Sequence, residues 1–92
     1  MIEHKYVKRR IVITAVQFDG TEQHAREIGD AYGLMCRPRL FTDGWVVIVN
    51  LDGIRYDVNA GDWVLTDDKG GHYPCKNELF EQVYEPLVEG AT

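Results

Sequence analysis

The sequence is poor in cysteine and proline, and it lacks long apolar runs. It contains two cysteines and three prolines, and no apolar run comes near the roughly 18 residues of a membrane-spanning helix. Cys36 and Cys75 are too few for a disulfide framework, so we expect both to be free thiols. The first ten residues lack the apolar stretch of a signal peptide. These absences predict a cytoplasmic protein that does not contact a membrane.

The charge of the chain is negative and unevenly distributed. A net charge of -5 argues against general nucleic-acid binding, which depends on neutralised phosphates. Four of the ten basic residues precede position 11, namely Lys5, Lys8, Arg9 and Arg10. Residues 78–92 contain no cation and four acids, namely Glu78, Glu81, Glu85 and Glu89. Such a separation can attract a charged protein partner or pair two copies of the chain.

The length and composition predict one globular domain over residues 1–92, with 1–7 and 88–92 as loose tails. Hydrophobic residues make up 45% of the chain, which is enough for a modest core. We expect a strand over Ile11–Phe18, covered on both faces because both are apolar. Thr21 would begin a helix over Glu22–Tyr32, and Gly33 would end it. The inward side of this helix would carry Ala25, Ile28, Ala31 and Tyr32. At Gly29, either the helix closely approaches the sheet or it ends early.

The remaining chain predicts short strands joined by tight turns. Asp52-Gly53 is typical of a type I′ hairpin, and it aligns Leu51 with Ile54, Val49 with Tyr56 and Val47 with Val58 on the core face. Residues 34–43 read as a loop, because Arg37-Pro38-Arg39 cannot continue a helix.

A strand over residues 63–66 and a second one at His72-Tyr73 follow, and Pro74 confines the latter to a sheet edge or ends it. Asn77 would begin a helical turn with Leu79, Phe80 and Val83 facing inward. The predicted fold is α+β, with a small, strongly curved, mainly antiparallel sheet resembling half a barrel.

The C-terminal half carries the most particular motif of the chain. It runs Gly61-Asp62-Trp63, an apolar strand, Lys69-Gly70, then Tyr73-Pro74-Cys75-Lys76, Phe80 and Tyr84-Glu85. This order, together with the opening strand near residues 8–20, resembles a family of small bacteriophage and prophage proteins without an assigned chemistry. The resemblance implies a phage-encoded accessory protein that acts in the host cytoplasm.

Three kinds of reactive site can be weighed from the residues. Cys75 with His72 could form a nucleophile, but residues three apart in a strand face opposite sides, so we expect a buried, inert thiol. The cysteines and histidines lack the spacing of a zinc site, so no metal or cofactor is expected. Lys69-Gly70-Gly71 could bind an anion, but it reads more simply as a hairpin turn.

These considerations favour a non-enzymatic protein-protein interaction module that binds a host or phage protein. The candidate partner-binding residues are Lys5, Lys8, Arg9, Arg10, Arg37, Arg39 and Phe41, chosen because arginines and aromatics carry much of the energy of interfaces. A binder of a small, nucleotide-like molecule, enclosed by the sheet and residues 35–41, is the alternative. An enzyme using Cys75 comes third. A homodimer is also expected, formed by strand pairing at the open sheet edge opposite the His72-Tyr73 strand, which Pro74 protects.

Overall fold

The structure is a computed structural model that describes residues 3–5 and 11–87. It belongs to the α+β class, as the sequence predicted. The elements in chain order are β1 (Thr14–Gln17), α1 (Glu22–Tyr32), β2 (Met35–Pro38), β3 (Trp45–Leu51), β4 (Ile54–Val58), β5 (Trp63–Thr66), β6 (His72–Cys75) and α2 (Asn77–Val83). Neither helix within the described ranges has the length and hydropathy that a membrane span requires.

The strands form two antiparallel sheets of three strands instead of the one strongly curved sheet that we expected. The orders are β1-β5-β6 and β2-β3-β4. The change of sheet occurs after β4, where Gly61 turns the chain with φ 92°. Its amide donates to the Phe18 carbonyl at 2.7 Å, and the Phe18 amide donates to the Asp62 carbonyl at 2.9 Å. These two bonds align β5 with β1 rather than with β4.

Helix α1 has the bounds and caps that the sequence predicted. The Thr21 hydroxyl accepts a hydrogen bond from the His24 amide, and Gly33 ends the helix in the left-handed conformation at φ 68°. Ala25 and Ile28 are buried as expected, but Ala31 is exposed. Gly29 is buried in its place, because the helix approaches the following segment most closely there. The helix therefore does not end early at Gly29, and the tight contact there is with Leu34, the residue before β2.

The β3–β4 hairpin is confirmed residue by residue. Asp52 and Gly53 have φ values of 50° and 79°, and the observed register pairs Val49 with Tyr56. The core side of the hairpin consists of Val47, Val49 and Val58. Ile54 and Tyr56 were expected on that core side, but they are 55% and 41% exposed. The two strands extend beyond the covered part of the sheet near the turn, so the hairpin end is in solvent.

The prediction of a ten-residue loop over residues 34–43 is wrong in its first half. Residues Met35–Pro38 form β2, which pairs antiparallel with the start of β3. Pro38 is tolerated because it is the last residue of a strand at the edge of its sheet. Only residues 39–44 form a loop, and they join β2 to β3 as a second hairpin.

The first strand is shorter and less covered than we expected. β1 begins at Thr14, and Ile11 and Val12 are 64% and 60% exposed. It lies at an edge of its sheet instead of in a covered position, since among the described strands it pairs only with β5. Apolar residues on both faces therefore did not indicate burial here.

The core lies between α1 and the inner faces of the two sheets. Its buried members are Phe18, Ala25, Ile28, Val47, Val49, Val58 and Val64. Trp63 lies outside this cluster, because alternation along β5 turns it away from the side of Val64. Helix α2 has no buried residue, and the predicted inward Leu79 and Val83 are 53% and 60% exposed. Of its three apolar side chains, Phe80 is the half-buried one, and its ring stacks on Trp63.

Candidate functional site

The structure brings three of the seven candidate partner-binding residues together. Arg37 lies on β2, and Arg39 and Phe41 lie in the loop that follows it. Lys5 is in the short segment 3–5, where it forms no hydrogen bond or salt bridge with any described residue. Lys8, Arg9 and Arg10 lie outside the described residues. The candidate site therefore lies at the β2–β3 loop, residues 39–44, which we call the hairpin tip.

The hairpin tip presents two large apolar side chains to solvent. Leu40 is 82% exposed and Phe41 is 102% exposed, the highest values among the apolar residues of the described chain. Burying such side chains on a partner is worth about 1.5–3 kcal/mol each in transfer free energy. Leu40 was not among the sequence candidates, although its position between Arg39 and Phe41, two of the candidates, was a usable signal.

Two backbone hydrogen bonds fix the base of the hairpin tip. Phe41 has φ 65°, a left-handed value that is uncommon for a residue with a bulky side chain. The loop is closed by the Arg39 amide, which donates to the Gly44 carbonyl at 2.9 Å. The next amide, that of Trp45, donates to the Gly20 carbonyl at 2.9 Å, which ties the loop to the turn before α1.

The charges around the hairpin tip are available to a partner. Of the four arginines in the described chain, Arg26 pairs with Glu22 at 2.8 Å and Arg55 pairs with Asp57 at 2.9 Å. Arg37 and Arg39 form no salt bridge with any described residue, and both are exposed. An exposed apolar pair beside two such guanidinium groups can bind an apolar pocket whose border carries carboxylates.

The C-terminal motif builds a second feature, a cluster that holds α2 against β5. The Asp62 carboxylate accepts from the Asn77 amide and from the Lys76 ammonium, both at 3.2 Å, at the start of α2. The Trp63 indole N–H donates to the Asn77 Oδ1 at 2.9 Å, and the Trp63 ring stacks on Phe80 at 3.8 Å between centroids. The residues that carry the resemblance thus have a structural role at this place.

An open groove of about 570 Å³ runs beside this cluster. Its apolar lining includes Ile11, Ile13, Trp63, Phe80, Val83, Tyr84 and Leu87. We call it the apolar groove. Its described lining includes Glu81 and Glu85 and no lysine or arginine. The groove therefore suits an apolar group better than a phosphate.

Hydrogen bonds to the Asp67 side chain close the glycine turn at residues 67–71. The Asp67 carboxylate accepts from the amides of Gly71 at 2.7 Å and Lys69 at 2.9 Å, and from the Tyr73 hydroxyl at 2.8 Å. These hydrogen bonds lower the pKa of Asp67, and the bond from the Gly71 amide contributes most. In turn, the hydrogen bond to the Asp67 carboxylate raises the pKa of Tyr73. The amides of Lys69 and Gly71 already bind this carboxylate, so the turn interpretation holds over the anion-binding one.

Cys75 lies in an environment that suppresses thiol reactivity. It is 7% exposed, and burial, followed by the Asp62 carboxylate, raises its pKa. His72, the partner considered for it, instead contacts Thr66 at 2.9 Å and stacks on Tyr32. Within the described ranges, no group of three or more residues could hold a metal ion.

We predict that Cys75 reacts slowly with a thiol reagent under native conditions. Cys36 is half-buried and is the internal control. Because the thiolate is the reactive form, Cys36 should be labelled faster by about tenfold or more. Mass spectrometry of timed samples measures both sites, and faster labelling of Cys75 would contradict the prediction.

Replacing Cys75 by Ala should lower the free energy of unfolding by about 1 kcal/mol through a small cavity.

Comparisons of the chain with protein-family models, curated proteins and solved structures found no match. The resemblance to phage proteins therefore stays a prediction.

Proposed function

We propose that this chain is a non-enzymatic interaction module that docks its hairpin tip on another protein. The exposure of Leu40 and Phe41 is the observation that carries the proposal. A bacteriophage-encoded accessory protein, working on a host or phage protein in the host cytoplasm, is the setting that the C-terminal motif suggests. The high pKa and burial of Cys75 support a role other than catalysis.

The backbone hydrogen bonds at the base of the hairpin tip favour binding. Ordering a loop on association costs conformational entropy. A loop already closed by the Arg39–Gly44 and Trp45–Gly20 hydrogen bonds loses less of this entropy when it binds. The guanidinium group of Arg26 lies 5.1 Å from the Trp45 ring centroid, which adds a contact at the base of the loop. Phe41 is thus presented as an anchor at little entropic cost.

The partner surface follows from the chemistry of the tip. Leu40 and Phe41 require an apolar pocket, because their burial there removes them from water. Arg37 and Arg39 favour carboxylates at the border of that pocket, since guanidinium groups bind carboxylates in a bidentate manner. We therefore propose a protein partner with an acidic border around an apolar recess.

The substitution Phe41→Asn tests the proposal without straining the loop. Asparagine accepts left-handed φ values better than phenylalanine, so the backbone keeps its shape while the anchor is lost. The partner would first be isolated by affinity purification and mass spectrometry, and then titrated with purified protein in calorimetry. We expect Kd to rise about 30-fold or more, the effect of losing an interface hot spot.

The matched control is Ile54→Asn, at an exposed apolar residue of the other hairpin. It should leave Kd unchanged within about twofold, since most interface energy comes from few residues. Equal binding by Phe41→Asn and the natural chain would overturn the proposal. A similar loss from both variants would place the binding surface elsewhere.

A small-molecule ligand in the apolar groove is the second candidate function. The volume of the groove lies within the roughly 300–1,000 Å³ of ligand sites. Glu81, Glu85 and the aromatic stack of Trp63, Phe80 and Tyr84 favour an apolar or cationic ligand over the nucleotide expected from the sequence. Residues 35–41 do not line this groove. A thermal-shift screen that compares aromatic amines with nucleotides distinguishes the two ligand classes.

A further inference from the structure

Strand β1 leaves one side of its backbone without a partner among the described strands. On its other side, it pairs with β5 through Thr14–Thr66, Ala15–Leu65, Val16–Val64 and Gln17–Trp63. Both backbone groups of Phe18 bond toward the β5 side, to Gly61 and Asp62. Because backbone direction alternates in an antiparallel ladder, Thr14 and Val16 also bond toward β5. Ala15 and Gln17 therefore direct their amides and carbonyls outward.

The other three sheet edges carry features that discourage pairing with another chain. β2 contains Arg37 and ends at Pro38, and β6 contains Pro74. β4 carries Arg55 and Asp57 on its exposed length. Charged residues and prolines at sheet edges are the usual protection against edge-to-edge pairing. β1 has neither, and the segment 11–17 that contains it (Ile-Val-Ile-Thr-Ala-Val-Gln) is uncharged.

We propose that β1 pairs with β1 of a second copy of this chain, so that two sheets join into one of six strands. An uncharged strand does not repel its own copy, and a two-fold dimer requires only that one surface complement itself. This interface is separate from the hairpin tip and does not rest on the function proposed for it.

The orientation of the side chains limits the register. Val16 packs on the core side of the sheet, whereas Ala15 lines the apolar groove on the opposite side. Residues that face each other across antiparallel strands point to the same side of the sheet, so even positions must pair with even positions. A two-fold axis at Thr14 places Val12 opposite Val16 and Ile13 opposite Ala15 of the second copy. An axis at Ala15 would place exposed Ile11 opposite Asp19 instead.

The axis at Thr14 therefore covers the apolar segment 11–13, of which the isolated chain leaves Ile11 and Val12 exposed. Thr14 bonds toward β5, so the two Thr14 residues would form a non-hydrogen-bonded pair. The Cα atoms of such a pair are about 4.5 Å apart, which brings the side chains into direct contact.

A charge exchange at Thr14 tests both the dimer and its register. Light scattering coupled to size exclusion, over a series from about 1 to 100 μM, should give the natural chain a dimer mass at the upper concentrations. Thr14→Lys alone and Thr14→Glu alone should each associate about 100-fold more weakly, because like charges would meet at the axis. An equimolar mixture of the two variants should recover the dimer as a heterodimer.

The control is Ile54→Lys, which adds the same charge at the β4 edge and should leave the dimer mass unchanged. Circular dichroism confirms that each variant is folded, and recovery in the mixture shows directly that both variants retain their fold. A monomer mass for the natural chain throughout the series would overturn the proposal. A dimer that both Thr14 variants retain would equally overturn it, because the interface would then lie elsewhere.

Discussion

Replacing Phe18 by Ala should lower the free energy of unfolding by about 3–5 kcal/mol, the usual cost of removing a buried phenylalanine. The Phe18 side chain is fully buried, and it packs in the core with residues of α1 and of both sheets. The surrounding strands are held by the backbone bonds of Phe18 to Gly61 and Asp62, so the cavity cannot close easily. Domains of this kind have a total stability of about 5–15 kcal/mol, so the variant should be only marginally folded.

Phe41→Ala is the matched control, since it makes the same chemical change at a fully exposed side chain. Its free energy of unfolding should remain within about 0.5 kcal/mol of the natural value. Urea unfolding followed by tryptophan fluorescence measures both variants, given Trp45 and Trp63 in the fold. Similar losses for the two variants would mean that Phe18 is not the centre of the core.

The two phenylalanines together separate the core from the proposed docking surface. Phe18→Ala should weaken partner binding only through unfolding, in proportion to the unfolded fraction. Substitution at Phe41 should weaken binding while the domain remains stable. A stability measurement made beside each binding measurement therefore distinguishes a lost contact from a lost fold.

The sequence predicted the elements whose signals are local. Helix α1 depends on a Thr21 cap and on Gly33, and the β3–β4 register depends on Asp52-Gly53. Each of these signals acts within a few residues, so no knowledge of the rest of the fold was required. These elements were confirmed to the residue.

The errors concern contacts between distant parts of the chain. β2 exists because residues 35–38 pair with β3, which Arg37 and Pro38 of that segment do not suggest. Leu79 and Val83 of α2 are exposed because that helix is attached mainly through Phe80 and Asn77 to Trp63. Hydrophobic spacing gives the face of a helix, but it does not tell whether a neighbour covers that face.

In the candidate site too, local signals could be predicted from the sequence, and contacts between distant parts of the chain could not. Arg37, Arg39 and Phe41 were chosen by residue type, and the β2–β3 pairing is what places Arg37 beside the hairpin tip that carries Arg39 and Phe41. Leu40 was missed because leucine is not among the residue types, arginine and aromatics, by which the candidates in this segment were chosen. The open β1 edge was anticipated only as the edge opposite the His72-Tyr73 strand, since strand order cannot be read from local patterns.

Replacing Gly29 by Ala should destabilise the protein, although alanine is the better helix former. In the helix interior, the substitution alone would stabilise by about 1 kcal/mol. A Cβ at this buried position would lie 2.7 Å from the Leu34 carbonyl oxygen, and no side-chain rotation can relieve a contact with backbone. Overpacking of this kind costs about 1–3 kcal/mol, so we expect a net loss of up to about 2 kcal/mol.

Asp30→Ala is the control for Gly29→Ala, because Asp30 is exposed on the same helix and gains only the helix propensity of alanine. It should leave the free energy of unfolding unchanged or raise it by a few tenths of a kcal/mol. Urea unfolding of the two variants beside the natural chain decides the sign. A Gly29→Ala variant more stable than the natural chain would show that α1 can move away from Leu34. A loss confined to Gly29→Ala would support a direct contact between the helix and Leu34, the residue that follows the turn at Gly33. Because Leu34 leads directly into β2, this contact helps to position the hairpin that carries Leu40 and Phe41.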